Sequence, residues 1–118
     1  MTTKPMPISS TVAPGDVVIV PFPFTDRAAS KRRPALVCSS QLFNRKAAHV
    51  VLAMITTATH SPWPGDVPIN DLKAAGLPES SVVRWKLFTL DATFIIRRAG
   101  ALSAKDRAAC RERKPWAL

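Results

Sequence analysis

Glycine is scarce in this chain, with four in 118 residues, and none forms a Gly-rich loop that could cradle a phosphate. Cysteine occurs twice, at Cys38 and Cys110, which excludes a disulfide framework and gives no metal-ligand spacing. Both read as buried thiols in a reducing cytoplasm. Long apolar runs are missing too. The longest, Val50 to Ile55, falls far short of the ~20 residues needed to cross a bilayer. The opening segment MTTKPMPISSTVAPG lacks an apolar stretch, so no signal peptide is expected. No zinc pattern and no internal repeat is present. Acidic side chains are also few: eight Asp+Glu stand against seventeen Lys+Arg, a formal charge of +9. A hydrophobic fraction of 47% with 21% charged residues is ordinary globular composition and excludes a disordered chain. A basic domain of this size is expected to meet a polyanion: nucleic acid first, a membrane surface or an acidic protein otherwise.

Residues 1–13 are rich in Pro, Ser and Thr and read as a flexible arm, with 14–118 as a single domain. Pro14-Gly15-Asp16 is turn chemistry launching the β-branched strand Val17–Val20, which Pro21-Phe22-Pro23-Phe24 stops. A polar loop, Thr25 to Arg33, precedes a second apolar run that opens at Pro34 and covers Ala35–Cys38. His49–Ile55 is the clearest strand, ending in Thr56-Thr57, and Ala58–Gly65 is a loop around Trp63. Asp66–Ile69 reads as an edge strand because of Pro68. A short helix follows, with Asn70 or Asp71 as N-cap and Gly76 closing it. Ser81–Lys86 and Leu87–Ile96 suggest two more strands. Ser103-Ala104-Lys105-Asp106 has capping-box form and starts a helix to about Arg113. Its apolar residues are small, so its docking is expected to be weak. Five or six short strands and one C-terminal helix predict a mainly β (α+β) domain, a small curved antiparallel sheet or barrel.

Three places could carry chemistry. In Lys31-Arg32-Arg33-Pro34, consecutive cations before a proline-opened strand put a guanidinium at the sheet rim, suited to bidentate phosphate binding; a solvated basic loop is the plainer reading. Thr56 and Thr57 end the most apolar strand, where their hydroxyls either donate to a phosphoryl oxygen or cap the strand. His60 is a nucleic-acid contact candidate rather than an obligatory catalyst. Trp63, Trp85, Phe22 and Phe24 could stack on bases, although for the tryptophans packing is the default. Phe22 and Phe24 cannot both point inward in an extended chain, so one belongs at the mouth.

PGDVVIVPFPFTD (14–26), KRRPALV (31–37), VVLAMITT (50–57), SVVRWKLFTLD (81–91) and GALS (100–103) together resemble the MazF/PemK family of type II toxin-antitoxin endoribonucleases. The likeness covers nearly all of the chain past the arm. It implies an SH3-like barrel of five to seven short antiparallel strands, a homodimer, and an acidic antitoxin as partner. The activity implied is cleavage of single-stranded RNA without metal or other cofactor. On the family pattern, the Arg before the strand-opening Pro and the first Thr after the long apolar strand form the catalytic pair, here Arg33 and Thr56. Thr57 matches an RNA contact. Phe24, Lys31, Arg32, His60, Trp63, Arg84 and Lys86 complete the expected RNA-binding set. Attack of the 2′-OH on phosphorus gives a 2′,3′-cyclic phosphate and a 5′-OH. A fixed guanidinium and an aimed hydroxyl stabilise the charge that builds on the non-bridging oxygens. For Arg33 this electrostatic role comes before proton transfer, because a guanidinium holds its proton above pH ~12.

The chain departs from the pattern at Trp85-Lys86, where relatives often carry an acidic residue. No carboxylate occurs between Glu79 and Asp91. The helix RAACRERKPWAL also lacks the usual large apolar residues. Two other readings stay open: a gyrase-binding toxin of the related CcdB fold, and a family member that binds nucleic acid without chemistry. Retention of Arg33 and Thr56 favours the nuclease over both.

Overall fold

Alternation along the strands explains the architecture. In the computed structural model, which describes residues 8–21, 31–59 and 62–117, Val17 and Leu36 sit in one buried cluster while their neighbours Val18, Ala35 and Val37 sit in another. Ala53 and Leu52 divide in the same way. Successive side chains of a strand point to opposite faces, so a sheet buried on both faces needs continuous apolar runs. That is why Val17–Val20 and Val50–Ile55 show no polar alternation. Each fully buried Val, Leu or Ile contributes roughly 1.5–3 kcal/mol, and the sheet centre supplies most of them.

Six strands form one antiparallel sheet: β1 (Asp16–Pro21), β2 (Arg32–Val37), β3 (His49–Thr57), β4 (Val67–Pro68), β5 (Ser81–Asp91) and β6 (Arg97–Ala101). Their order is β4-β5-β3-β2-β1-β6, curled into a half-barrel. Helices α1 (Gln41–Ala47), α2 (Leu72–Ala75) and α3 (Ala104–Arg113) complete the described residues, among which no helix is long and apolar enough to cross a membrane.

Three expectations are corrected, and one helix is added. The segment 81–96 is not two strands: β5 runs unbroken to Asp91, with a register shift opposite Ala53/Met54 that absorbs the apparent break, and a 3-10 turn at Ala92–Phe94 leads to β6. Within the segment read as a flexible arm, Ile8–Ser10 form a 3-10 turn and Val12 is fully buried; residues 1–7 lie outside the described residues. Helix α1 was not anticipated; Ser40 caps it by accepting from the Phe43 amide. Docking of α3 is not weak. Ser103 accepts from the Asp106 amide as a cap should, but the Asp106 carboxylate is buried and accepts from the amides of Asn70 (3.1 Å) and Asp71 (3.0 Å). Polar anchoring replaces the missing large apolar residues, helped by Trp116 packed edge-on against Trp85 at 5.4 Å.

Candidate nucleic-acid cleft

Pro34 has no N–H to donate, and the β2–β3 ladder begins only at the next residue, with Ala35 opposite Met54, then Leu36 opposite Ala53 and Val37 opposite Leu52. On its other side β2 remains paired with β1 through Arg33 and Arg32. Continuing the β2–β3 register two residues past Ala35 puts Arg33 opposite Thr56. Residues opposed across an antiparallel pair present their side chains to the same face. Both line a cleft of about 140 Å3 where the two strands part. Thr57, Ser81 and Glu79 add polar groups; Ile55 and Leu77 supply apolar wall.

Thr56 is nearly buried, at 5% exposure, and is held by pairing with Val82 on β5. Arg33 is half-buried, its Nε below the surface. Thr57 is more open, and its hydroxyl lies 3.2 Å from that of Thr59. Glu79 is exposed and sits between Pro78 and the start of β5; Ser81 Oγ donates to its carbonyl at 2.8 Å. A guanidinium and hydroxyls converging on one small hollow suit a phosphoryl group.

The remaining expected contacts distribute differently. Lys31 and Arg32 are exposed at the start of β2, next to the cleft in sequence. Phe24 and His60 lie outside the described residues. Arg84, Lys86 and Trp63 are not among the cleft's lining and gather around Asp66 instead. Arg84 is buried, donating from Nη2 (2.9 Å) and Nε (3.2 Å) to the Asp66 carboxylate, so its expected role as an open phosphate contact is corrected. The Trp63 amide also donates to Asp66, and Lys86 Nζ stands 4.6 Å from the Trp63 ring centre. Burial pulls the Asp66 pKa up, but hydrogen bonds from Arg84 and the Trp63 amide, with the Arg84 charge, outweigh it and hold the carboxyl below its ordinary value. The Asp66 hydrogen bond raises Arg84 in turn, against burial. Trp85 is a packing residue: it is buried, and its Nε1 donates to the Gly65 carbonyl at 2.7 Å.

A larger cleft of about 240 Å3 lies beside α3, lined by Cys38, Trp85, Cys110 and Trp116 and rimmed by Arg107, Arg111 and Lys114. Burial pushes the Cys38 thiol up to about 12, with Cys110 adding to the rise. It pushes Cys110 up to about 11, with Asp106 adding there. Both thiols are therefore protonated at neutral pH; Cys110 is buried as expected, whereas Cys38 is only half-buried. Of the two clefts, only the smaller contains the Arg33–Thr56 pair.

The sequence of residues 13–113 matches the PemK-like, MazF-like toxin family of type II toxin-antitoxin systems. The chain belongs to that family. Solved structures agree. The toxin MazF-mt6 of Mycobacterium tuberculosis is 26% identical and superposes with a TM-score of 0.66 over 82% of this chain and 89% of its own. MazF from Deinococcus radiodurans gives 23% identity and a TM-score of 0.67, covering 86% and 91%. A mycobacterial endoribonuclease in complex with its cognate antitoxin gives 18% and 0.65, covering 90% and 97%. The last two likenesses support the fold alone. No curated protein is significantly similar to the chain. Among what sequence reasoning missed is Glu79: the family pattern sought a carboxylate near Trp85-Lys86, and only the third dimension places Glu79 in the lining of the cleft that also holds Arg33.

Proposed function

We propose that this PemK-like, MazF-like toxin is an endoribonuclease that cuts single-stranded RNA without a metal, acting in the cytoplasm as a homodimer that an acidic antitoxin neutralises. The observation that carries this reading is the apposition of Arg33 and Thr56 in one cleft at the end of the β2–β3 ladder. The 2′ oxygen of the RNA attacks the adjacent phosphorus, the P–O5′ bond breaks, and the products are a 2′,3′-cyclic phosphate and a 5′-OH. Negative charge grows on the non-bridging oxygens. Arg33 neutralises it in a partly desolvated hollow, and the Thr56 hydroxyl donates to it, so both act where the transition state differs from the ground state. Thr57, Arg32 and Lys31 hold flanking RNA. Lys86 and Trp63 extend the binding surface as a stacked pair.

The test is incubation of the purified chain with a long single-stranded RNA in EDTA, beside Arg33→Ala and Thr56→Ala. Discrete cuts ending in a cyclic phosphate and a 5′-OH are expected from the wild type alone. A 5′-phosphate product, or equal cutting by Arg33→Ala, refutes the mechanism. A gyrase-binding toxin has no use for this pair, so the same assay separates the two readings.

A further inference from the structure

Attack by a 2′-OH needs an acceptor for its proton, and at neutral pH neither a guanidinium nor a threonine hydroxyl serves. Among the described residues lining the Arg33–Thr56 cleft, Glu79 is the one carboxylate, and no imidazole lines it. A negative charge beside a phosphate site weakens binding of a polyanion, so this is a costly position for a carboxylate whose only role is solvation. The segment that carries it is also fixed at both ends. The Leu77 amide donates to the Leu72 carbonyl at 2.9 Å and Leu77 is buried. Past Glu79, the Ala58 amide donates to the Ser80 carbonyl at 3.0 Å, bridging to the end of β3. Pro78 stiffens the stretch between. Backbone position is thus set by the fold while the side chain stays exposed and able to reach a substrate.

We infer that Glu79 is the general base of this cleft. The proposal rests on the endoribonuclease reading above. Glu79 takes the proton from the 2′-OH as the O2′–P bond forms; the P–O5′ bond breaks, and the leaving 5′ oxygen takes a proton from solvent water. Arg33, the other charged residue lining the cleft, holds the phosphate.

The experiment compares wild type, Glu79→Gln and Glu79→Asp in cleavage of a single-stranded RNA across acid and neutral pH. It also measures binding of the same RNA carrying a 2′-deoxy sugar at the cut site. Glu79→Gln is expected to lower kcat by about 100-fold or more and to flatten the acid limb of the pH–rate profile. It should bind the deoxy analogue as well as wild type or better. Glu79→Asp recovers part of the rate. An unchanged thermal midpoint in Glu79→Gln confirms that folding is intact. If wild type cuts and Glu79→Gln cuts within about threefold of it, or keeps the same acid limb, the base assignment is overturned and the endoribonuclease reading stands. If wild type binds RNA but makes no cuts, the endoribonuclease reading itself fails and this assignment with it.

Discussion

Arg33 and Thr56 stand opposite each other on β2 and β3, two residues beyond the last ladder pair, where Pro34 interrupts the donors of β2. The same proline that ends the pairing therefore opens the space between the two side chains. Because Thr56 is nearly buried, replacing it by the isosteric Val removes the hydroxyl with little change in packing. Thr56→Val is expected to cut RNA about 100-fold more slowly, in the range seen when one preorganised donor is lost. Thr56→Ser, which retains the hydroxyl, should recover most of the rate. Steady-state cleavage of a short fluorogenic RNA reads both; equal activity of Thr56→Val and wild type would remove Thr56 from the chemistry.

The flanking cations make a separable prediction. Lys31 and Arg32 are exposed and expected to hold phosphates, so RNA affinity should fall steeply with ionic strength. Substituting either by Ala should weaken binding uniformly across sequences and reduce the salt slope by about one. Binding isotherms at several salt concentrations measure this directly. A slope unchanged in both variants would place the phosphate contacts elsewhere.

Asp66 and Arg84 predict how stability responds to acid. The Asp66 carboxyl is held below its ordinary pKa in the folded state. A group with a depressed folded pKa contributes stability above its unfolded value, near ~4, and that stability is lost as pH falls through the folded pKa. Asp66→Asn should therefore cost about 2 kcal/mol at neutral pH, where it leaves Arg84 buried beside a neutral amide. The difference from wild type should shrink as pH drops below about 4. Urea melts at several pH values test the sign: a gap that widens in acid contradicts the pairing as the cause.

How much was legible in advance follows from which interactions are local. Val17–Val20 and Val50–Ile55 announced their strands because a sheet buried on both faces needs unbroken apolar runs. Asp71 and Gly76 announced α2 because caps are chosen by backbone geometry a few residues away. Arg33 and Thr56 each stand out as candidates in their own segments, but their pairing is legible only through a family likeness, since nothing in either segment says that the strands end opposite one another. Arg84 misled because its charge looked available; Asp66, eighteen positions earlier, engages it. Asp106 misled in the opposite direction. As part of a capping box it predicts a local bond, yet its carboxylate accepts from Asn70 and Asp71, and that distant contact anchors α3. Glu79 has no pattern of its own and becomes visible only as lining of the cleft.

Asn44 is a fully buried polar residue on α1 whose amide group donates to the carbonyls of Val12 (3.1 Å) and Ser39 (3.3 Å), while the Ser39 hydroxyl bonds its oxygen. The Val51 amide donates to that same Ser39 hydroxyl. One side chain thus ties the N-terminal segment, α1 and β3 together. Asn44→Ala strands several buried groups, at ~1–3 kcal/mol for each one left unsatisfied. We expect a loss of about 3 kcal/mol in chemical denaturation, and an earlier release of Val12 in amide hydrogen exchange. Protection at Val12 equal to wild type would show that the segment is held without Asn44.

Backbone conformation at two positions should respond to substitution in opposite directions. Gly76 closes α2 in the left-handed region at φ 72°, and a Cβ there would collide with the Ala99 carbonyl of β6. Gly76→Ala combines left-handed strain of ~1–2 kcal/mol with a backbone collision, so a loss above about 2 kcal/mol is expected. Its consequence reaches the cleft, because Gly76 directly precedes the wall formed by Leu77, Pro78 and Glu79. Ala48, which ends α1, also has a positive φ of 53° but carries a side chain. Ala48→Gly relieves that strain and should stabilise by about 1 kcal/mol, a rise of roughly 4 °C in Tm. A differential scanning comparison of the two variants decides the matter, and Ala48→Gly melting below wild type would show that chain entropy outweighs the relief of strain.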